Sequence, residues 1–283
     1  MSGLEDQTIA ILGVGMIGGT LVERLIDSGR VSADQLSGST AHPETAEEVT
    51  DEYGIETTTD NRELVRDRDV VILAVEPQMI GSVLDEIKDV LTEDQLLISI
   101  AAATATEDIE AYFDRKIPVV RGMPNTPVLV NEGMTVLCGG THATEGHLKR
   151  AASIFEAAGQ VEMLDREELM DAVTAMSGSG PAYSYIFIEA LAEAGVKVGL
   201  PRELATTLAA QAVKGGSGMV LETGEHPALL KDQVTTPAGV TVDGLMELED
   251  GGLRVTLIKA VSRATEKSKD VSGQSDEAES EDY

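Results

Sequence analysis

The sequence predicts an α/β protein: an N-terminal Rossmann-like, doubly wound sheet followed by an all-helical domain. Three observations carry this. Residues 7 to about 164 alternate short apolar runs with helical patterns, as a mostly parallel sheet covered on both faces requires. The first run, Thr8–Leu12, leads directly into Gly13-Val14-Gly15-Met16-Ile17-Gly18. After about Glu167 strand signals stop and helical periodicity takes over.

The expected strands are Thr8–Leu12, a second near Leu36–Thr40, Asp69–Val75, Leu96–Ile100, Pro118–Arg121, Thr135–Cys138 and Val161–Leu164. Helical patterns fall on Met16–Ser28, Pro43–Glu52, Met79–Val90, Glu107–Phe113 and Thr144–Ala158. In the second half, Leu191, Val196 and Val198, then Leu204, Leu208 and Val213, then Leu253, Val255, Leu257 and Val261 mark helical periodicity through roughly Lys269. The expected boundaries are an α/β domain over 1–165, an all-helical domain over 166–270, and a disordered acidic tail over 271–283. That tail holds five acids and no base, too little apolar area to offset the entropy of ordering.

Bulk composition excludes several classes. Fifty acids against 21 bases give a formal charge of −29, so nucleic acid and anionic membrane are poor partners. The acids are spread along the whole chain, and only nine residues are lysine. A solvated acidic surface suited to high salt explains that spread, as in a halophile's cytoplasmic protein. Cys138 is the single cysteine, which excludes an intrachain disulfide and points to a reducing compartment. There is no basic-then-apolar N-terminal signal. Glu189 and Glu193 break the longest apolar stretch, so no membrane span is expected. The histidines His42, His142, His147 and His226 form no metal-ligand spacing and read as surface residues.

The glycine loop carries a physical mechanism. Gly13 permits the tight turn after the strand. Gly15 lets backbone approach a pyrophosphate at the helix N-terminus, and Gly18 allows close packing of helix on strand. Val14, Met16 and Ile17 complete the cradle. An acid at the end of the second strand would select NAD; Ser39 and Thr40 stand there instead, ahead of Pro43. They suit a 2′-phosphate, and equally they read as caps of the next helix. NADPH is therefore the expected cofactor, with NADH possible.

Two further stretches are rich in small, hydroxyl and turn residues. Ser177-Gly178-Ser179-Gly180-Pro181 sits between helical runs, either a helix corner or a place of close ligand approach. Thr235-Thr236-Pro237-Ala238-Gly239-Val240-Thr241 leads into a helix over Val240–Glu249. Free N–H groups there can hold a carboxylate without lysine or arginine, or the segment is a plain capped turn.

The segment DAVTAMSGSGPAYSYIFIEALAEAGVKVGL from Asp171 to Leu200 resembles the signature of pyrroline-5-carboxylate reductases, the enzymes of the last step of proline synthesis. His226-Pro227-x-x-Leu230-Lys231-Asp232-Gln233 through Thr241 is a second match, and the rest of the chain fits in order. Ala74-Val75-Glu76-Pro77-Gln78 is similar to the family's Ala-Val-Lys-Pro-Gln along the cofactor, with glutamate in place of lysine. Ser99-Ile100-Ala101-Ala102-Ala103 resembles Ser-x-Ala-Ala-Gly, whose small residues admit the nicotinamide. Asn61 matches a cofactor contact near the adenosine half, and reads also as a turn or helix cap. Arg121 to Pro127, with Asn125, matches a loop at the mouth of the cleft.

The resemblance further implies that the substrate carboxylate sits in the turn Thr236, Pro237, Ala238, Gly239, Val240, with Thr241 reaching the ring nitrogen. Glu167 and Gln233 match substrate-lining positions, and Ser177 and Ser179 belong to the neighbouring wall. Ala238 replaces a usual glycine. The implied chemistry is hydride transfer to a cyclic imine, which needs alignment and few side-chain groups. The family interlocks helical domains into a dimer or a higher assembly. Two other readings remain. One is a related two-domain NADP oxidoreductase acting on a 3-hydroxy acid or a deazaflavin; a hydroxy-acid enzyme would need a lysine on the long helix, and none lies between Arg166 and Glu193. A nucleotide-binding regulatory protein would have no reason to keep the threonine-rich turn.

Overall fold

The computed structural model describes residues 4–237 and 239–273. They divide into two compact units. The first runs to Gly178 and includes the segment from Ala264; the second is Ser179–Arg263.

The first unit is built on one eight-stranded sheet. Its strands are β1 (Ile9–Leu12), β2 (Leu36–Ser39), β3 (Glu56–Thr58), β4 (Val70–Leu73), β5 (Leu96–Ser99), β6 (Val119–Pro124), β7 (Gly133–Gly139) and β8 (Gly159–Met163), in the order β3-β2-β1-β4-β5-β6-β7-β8. All pairs are parallel except β6 with β7. Strands β1, β4 and β5 are buried throughout, which is why they read as unbroken apolar runs. Alternate residues serve two cores. Ile9, Ile11, Val70, Ile72, Leu96 and Ile98 face one side, while Ala10, Leu12, Val71, Leu73 and Leu97 face the other.

Helices cover both faces. α1 (Met16–Asp27), α2 (Pro43–Tyr53), α3 (Asn61–Leu64), α4 (Ile80–Ile87), α5 (Thr106–Glu110) and α6 (Glu145–Phe155) fall close to the expected runs, apart from α3. α1 buries Leu21, Val22 and Leu25, and α6 adds Ile154 and Phe155 to the same core. On the opposite face α4 contributes Ile80, Val83, Leu84 and Ile87. α3 and β3 are absent from the sequence-based assignment, because the stretch Glu56–Asp60 is polar and lies on the sheet edge.

Past β8 the first unit continues through α7 (Met170–Val173) and a π-turn, Thr174–Gly178. Met170, Asp171 and Ala175 are buried in it, and the Ser268 hydroxyl donates to Asp171 at 2.6 Å. Those contacts hold 166–178 in the first unit, beyond the 165/166 boundary expected from sequence. The second unit contains α8 (Gly180–Lys197), α9 (Arg202–Thr223), α10 (Pro227–Gln233), α11 (Val240–Asp250) and the first part of α12 (Leu253–Ser272). Helix α8 begins at Gly180, with Pro181 in its first turn, where a missing N–H costs nothing. The covered apolar cluster of this unit is small: Ala192, Ala205 and Ala209, between α8 and α9. Tyr185, Ile186, Leu204, Leu208, Met246 and Ile258 remain exposed. Helix α12 runs through Ser272, so the segment expected as tail from 271 begins inside a helix; residues 274–283 lie outside the described ones. Among the described residues no helix is long and apolar enough to cross a membrane.

Candidate active site

Sheet register brings the strand ends into one row. Leu12 pairs with Ser39 on one side and Leu73 on the other, and Leu73 pairs with Ser99. Strand order reverses between β1 and β4, where a parallel sheet opens a crevice beyond its C-terminal edge. The N–H groups of Gly13 and Val14 donate to the Ser39 carbonyl at 3.1 and 3.0 Å, and Ala74 N–H donates to the Leu12 carbonyl at 2.8 Å. The loops after β1, β2 and β4 are thus locked together by backbone.

The glycines fit a dinucleotide cradle. Gly13 has φ +93°, and a Cβ there would stand 2.7 Å from Val75 Cγ1. A Cβ on Gly18 would meet the Gly13 carbonyl oxygen at 2.5 Å, so glycine lets α1 close onto the loop. Nothing lies within 4 Å of a Cβ on Gly15, which leaves open space at the N-terminus of α1. Met16 is 68% exposed beside it and Ile17 half-buried. No acid occupies the first turn, so the N–H groups and helix dipole are free for a pyrophosphate.

At the end of β2, Ser39 is buried and its hydroxyl donates to Asn61 Oδ1 at 2.6 Å. Thr40 donates its hydroxyl to the His42 carbonyl at 3.0 Å. The residue capping α2 is His42, without a side-chain bond, so Ser39 and Thr40 are not its caps. Asp60 caps α3 by accepting from Glu63 N–H at 3.0 Å. Asn61 is therefore not a cap either: its amide joins Ser39 to Glu86 Oε2, the latter at 2.7 Å.

Ala74, Val75, Glu76 and Pro77 follow β4, and Ile100, Ala101 and Ala102 follow β5, at the same edge of the sheet. Glu76 is exposed and accepts from the Gln78 amide. Ala103 holds φ 57°, the left-handed region, which explains the glycine of the family pattern. Asn125 ties two segments: its Oδ1 accepts from Met134 N–H at 2.9 Å, and its Nδ2 donates to the Ser177 carbonyl at 3.2 Å. It holds the π-turn against β7, and π-turns concentrate at functional sites.

Glu167 lies in the first unit, hydrogen-bonded to the Thr106 N–H at 2.8 Å, to the Thr106 hydroxyl and to Arg121 Nη1 at 3.1 Å. Three of a carboxylate's roughly four acceptor positions are filled, so the side chain serves this buried cluster before any substrate. Sequence reading missed Glu86 and Thr106 as members of these networks. Both look like ordinary residues on amphipathic helices, and only the folded register discloses their partners.

The threonine-rich turn belongs to the second unit. Gly239 N–H donates to the Thr236 carbonyl at 2.8 Å, closing the turn around Pro237, and Gly239 caps α11. Ala238 lies outside the described residues. Val240 is 90% exposed and Thr241 half-buried in the first turn of α11, where N–H groups lack the acceptor four residues back, although Val242 N–H reaches the Gly239 carbonyl at 3.2 Å. The Thr235 hydroxyl is taken by the Asp232 carbonyl at 2.7 Å, and Gln233 Nε2 donates to Glu225 at 2.8 Å. Ser179, the first residue of this unit, precedes α8 and makes no side-chain cap.

Among the described residues no group of three or more potential ligands could hold a metal ion. His226 and His147 accept helix-start N–H groups, structural uses for both. Burial pushes the Cys138 thiol up to about 11, so it stays protonated and unreactive near neutrality.

A glycine loop at the switch point of a parallel sheet defines the Rossmann class of dinucleotide-binding proteins. Residues 8–103 match the family described as NADP oxidoreductase coenzyme F420-dependent, and residues 167–271 match pyrroline-5-carboxylate reductase dimerisation. Pyrroline-5-carboxylate reductase of Methanosarcina acetivorans is 41% identical, over 95% of this chain and 99% of its own. That of Escherichia coli is 37% identical, over 94% and 99%. The reductase structure from Coxiella burnetii superposes with a TM-score of 0.89 at 35% identity, covering 94% of this chain and 98% of its own. The Plasmodium falciparum structure with NADP bound gives 0.83 at 34%, covering 95% and 99%. The chain belongs to the pyrroline-5-carboxylate reductase family.

Proposed function

We propose that this protein reduces 1-pyrroline-5-carboxylate to L-proline, with NADPH as the preferred reductant. The observation that carries the reading is a similarity extending over the whole length of its relatives, across both the glycine cradle and the threonine-rich turn. The bound nicotinamide supplies a hydride for the imine carbon, and the ring nitrogen keeps the proton that made the imine electrophilic. The chain's own tasks are binding and alignment. Gly13 to Gly18 hold the pyrophosphate on the N-terminus of α1. Ala74 to Pro77, Ile100 to Ala102 and Asn125 line the nicotinamide side. The turn from Thr236 through Val240 holds the substrate carboxylate on backbone N–H groups, with Ser177, Ser179 and Gln233 nearby. The Thr241 hydroxyl meets the ring nitrogen.

A homo-oligomer is supported by the exposed apolar side chains of the second unit, such as Tyr185, Ile186 and Leu208, and by the match to a dimerisation family. The charge of −29 supports a halophilic setting, and the lone cysteine a cytoplasmic one.

The test is consumption of NADPH with pyrroline-5-carboxylate in molar salt. Turnover with a 3-hydroxy acid instead would replace this reading with the related dehydrogenase. NADPH binding without turnover would favour a regulatory protein. Changing Ser39 to Glu places an acid at the ribose and should move the preference toward NADH.

A further inference from the structure

We infer that Glu86, an acid on α4 with no place in the glycine cradle, sets the balance between NADPH and NADH through a two-bond relay. The inference rests on the reading that the end of β2 faces the adenosine ribose of a bound dinucleotide. The chain of contacts begins at the carboxylate. Glu86 Oε2 stands 2.7 Å from Asn61 Nδ2, and Asn61 Oδ1 stands 2.6 Å from Ser39 Oγ. A carboxylate only accepts hydrogen bonds, so it fixes which end of the amide turns toward it. The amide nitrogen must face Glu86, and its oxygen must then face Ser39. The Ser39 hydroxyl has one proton and donates it to that oxygen. What remains on Ser39 for a ligand is its lone pairs.

The relay is buried at its Ser39 end and faces solvent at Glu86. Asp60, not Asn61, caps α3, which leaves the asparagine amide free for it. Arg62 Nη1 donates to the Glu86 carbonyl at 2.7 Å and fixes α4 beside α3. Ser39 is 4% exposed, and its carbonyl receives the N–H groups of Gly13 and Val14. Ser39 thus closes β2 beside the cradle, at the strand end where a dinucleotide's ribose is read in this fold.

The consequence is a matter of donors and acceptors. A ribose 2′-hydroxyl can donate to Ser39. A 2′-phosphate has acceptors only, and meets lone pairs instead of a proton. Glu86 thus tempers the preference for NADPH from two bonds away. In Glu86→Gln the side chain can donate as well as accept. The Asn61 amide can then turn over, its nitrogen donating to Ser39 Oγ, and the Ser39 proton is released toward the phosphate. The substitution is isosteric.

Calorimetric titration of NADP⁺ and NAD⁺ into the full-length protein in molar salt tests this, alongside kcat/KM for the two reduced cofactors. Glu86→Gln should raise the NADP⁺/NAD⁺ affinity ratio about tenfold or more, the worth of one hydrogen bond to a charged group. In a Ser39→Ala background the same change should leave the ratio within about twofold, because the relay is cut. An undiminished Glu86→Gln effect in that background would mean that the acid acts on the phosphate through space, and would overturn the relay. An unchanged ratio in the single variant would overturn it too. Absence of binding by either nucleotide would instead remove the dinucleotide reading beneath it.

Discussion

Arg121 and Glu167 meet as an ion pair, Nη1 to Oε1 at 3.1 Å, across 46 residues of sequence. The guanidinium is 3% exposed, so its charge has no water to fall back on. The same carboxylate receives the first N–H of α5 from Thr106. Removing one partner of a buried pair strands the other, at about 3–5 kcal/mol. Glu167 is itself partly exposed, which places Glu167→Ala near the lower end, about 3 kcal/mol less stable. Urea unfolding at constant high salt measures it. A loss below about 0.5 kcal/mol, the size of an ordinary surface change, would show that the pair adds nothing.

Ala103 offers the opposite effect. It adopts φ 57°, where a Cβ crowds the following carbonyl. Glycine has no such clash, although it gives the unfolded chain more freedom. Relief of the clash outweighs that added freedom, so Ala103→Gly should stabilise the protein by about 0.5–1 kcal/mol. Thermal melts of the two proteins decide; a destabilised glycine variant would mean that the loop after β5 carries no backbone strain.

The Cys138 thiol gives alkaline stability a defined sign. Burial raises it from 9.0 to about 11, so the folded protein holds its proton where the unfolded chain has lost it. The stability this contributes is fully present below pH 9.0 and is lost progressively as pH rises to about 11. Cys138→Ala removes the group from both states and should flatten the fall in stability over that window. Parallel slopes for parent and variant between those pH values would disprove the linkage.

The charge of −29 makes each chain self-repelling when unscreened. The Debye length shrinks from about 10 Å at 0.1 M to about 3 Å at 1 M, so molar KCl removes most of that repulsion. Activity and assembly should both fall as KCl is titrated downward, followed by circular dichroism and sedimentation. A fully folded oligomer at millimolar salt would sink the halophilic reading.

Much of this was legible in sequence because the strongest signals are local. The runs Ile9–Leu12 and Val70–Leu73 are apolar throughout since the sheet is covered on both faces, and the glycine spacing follows directly. The edge strand Glu56–Thr58 was not legible, because a strand of three polar residues has no apolar alternation to detect. The antiparallel pairing of β6 with β7 was equally hidden, since direction leaves no mark on composition. At the site, backbone-driven features such as Gly13 and the Gly239 cap could be read. Contacts between elements could not: the Glu86–Asn61 bond spans 25 residues and the Glu167–Thr106 bond 61.

Thr241 carries the last prediction. It lies in the first turn of α11, two residues after the cap Gly239, on the helix whose free N–H groups suit a carboxylate. A hydroxyl there can accept or donate at a ring nitrogen while the backbone holds the acid group. Thr241→Val keeps the β-branch and size and deletes only the hydroxyl, so folding should change little. Losing a hydrogen bond of about 1.5–3 kcal/mol in the transition state lowers kcat/KM roughly 10- to 200-fold. Thr241→Ser, which keeps the hydroxyl, should retain most activity. In the proposed role the group meets the substrate and not the nucleotide, so NADPH affinity should hold within about threefold, below the roughly tenfold of a lost 1.4 kcal/mol contact. Steady-state kinetics with a separate NADPH titration separates the two. An unchanged kcat/KM in the valine variant would take Thr241 out of the reaction and leave the substrate to the backbone turn alone.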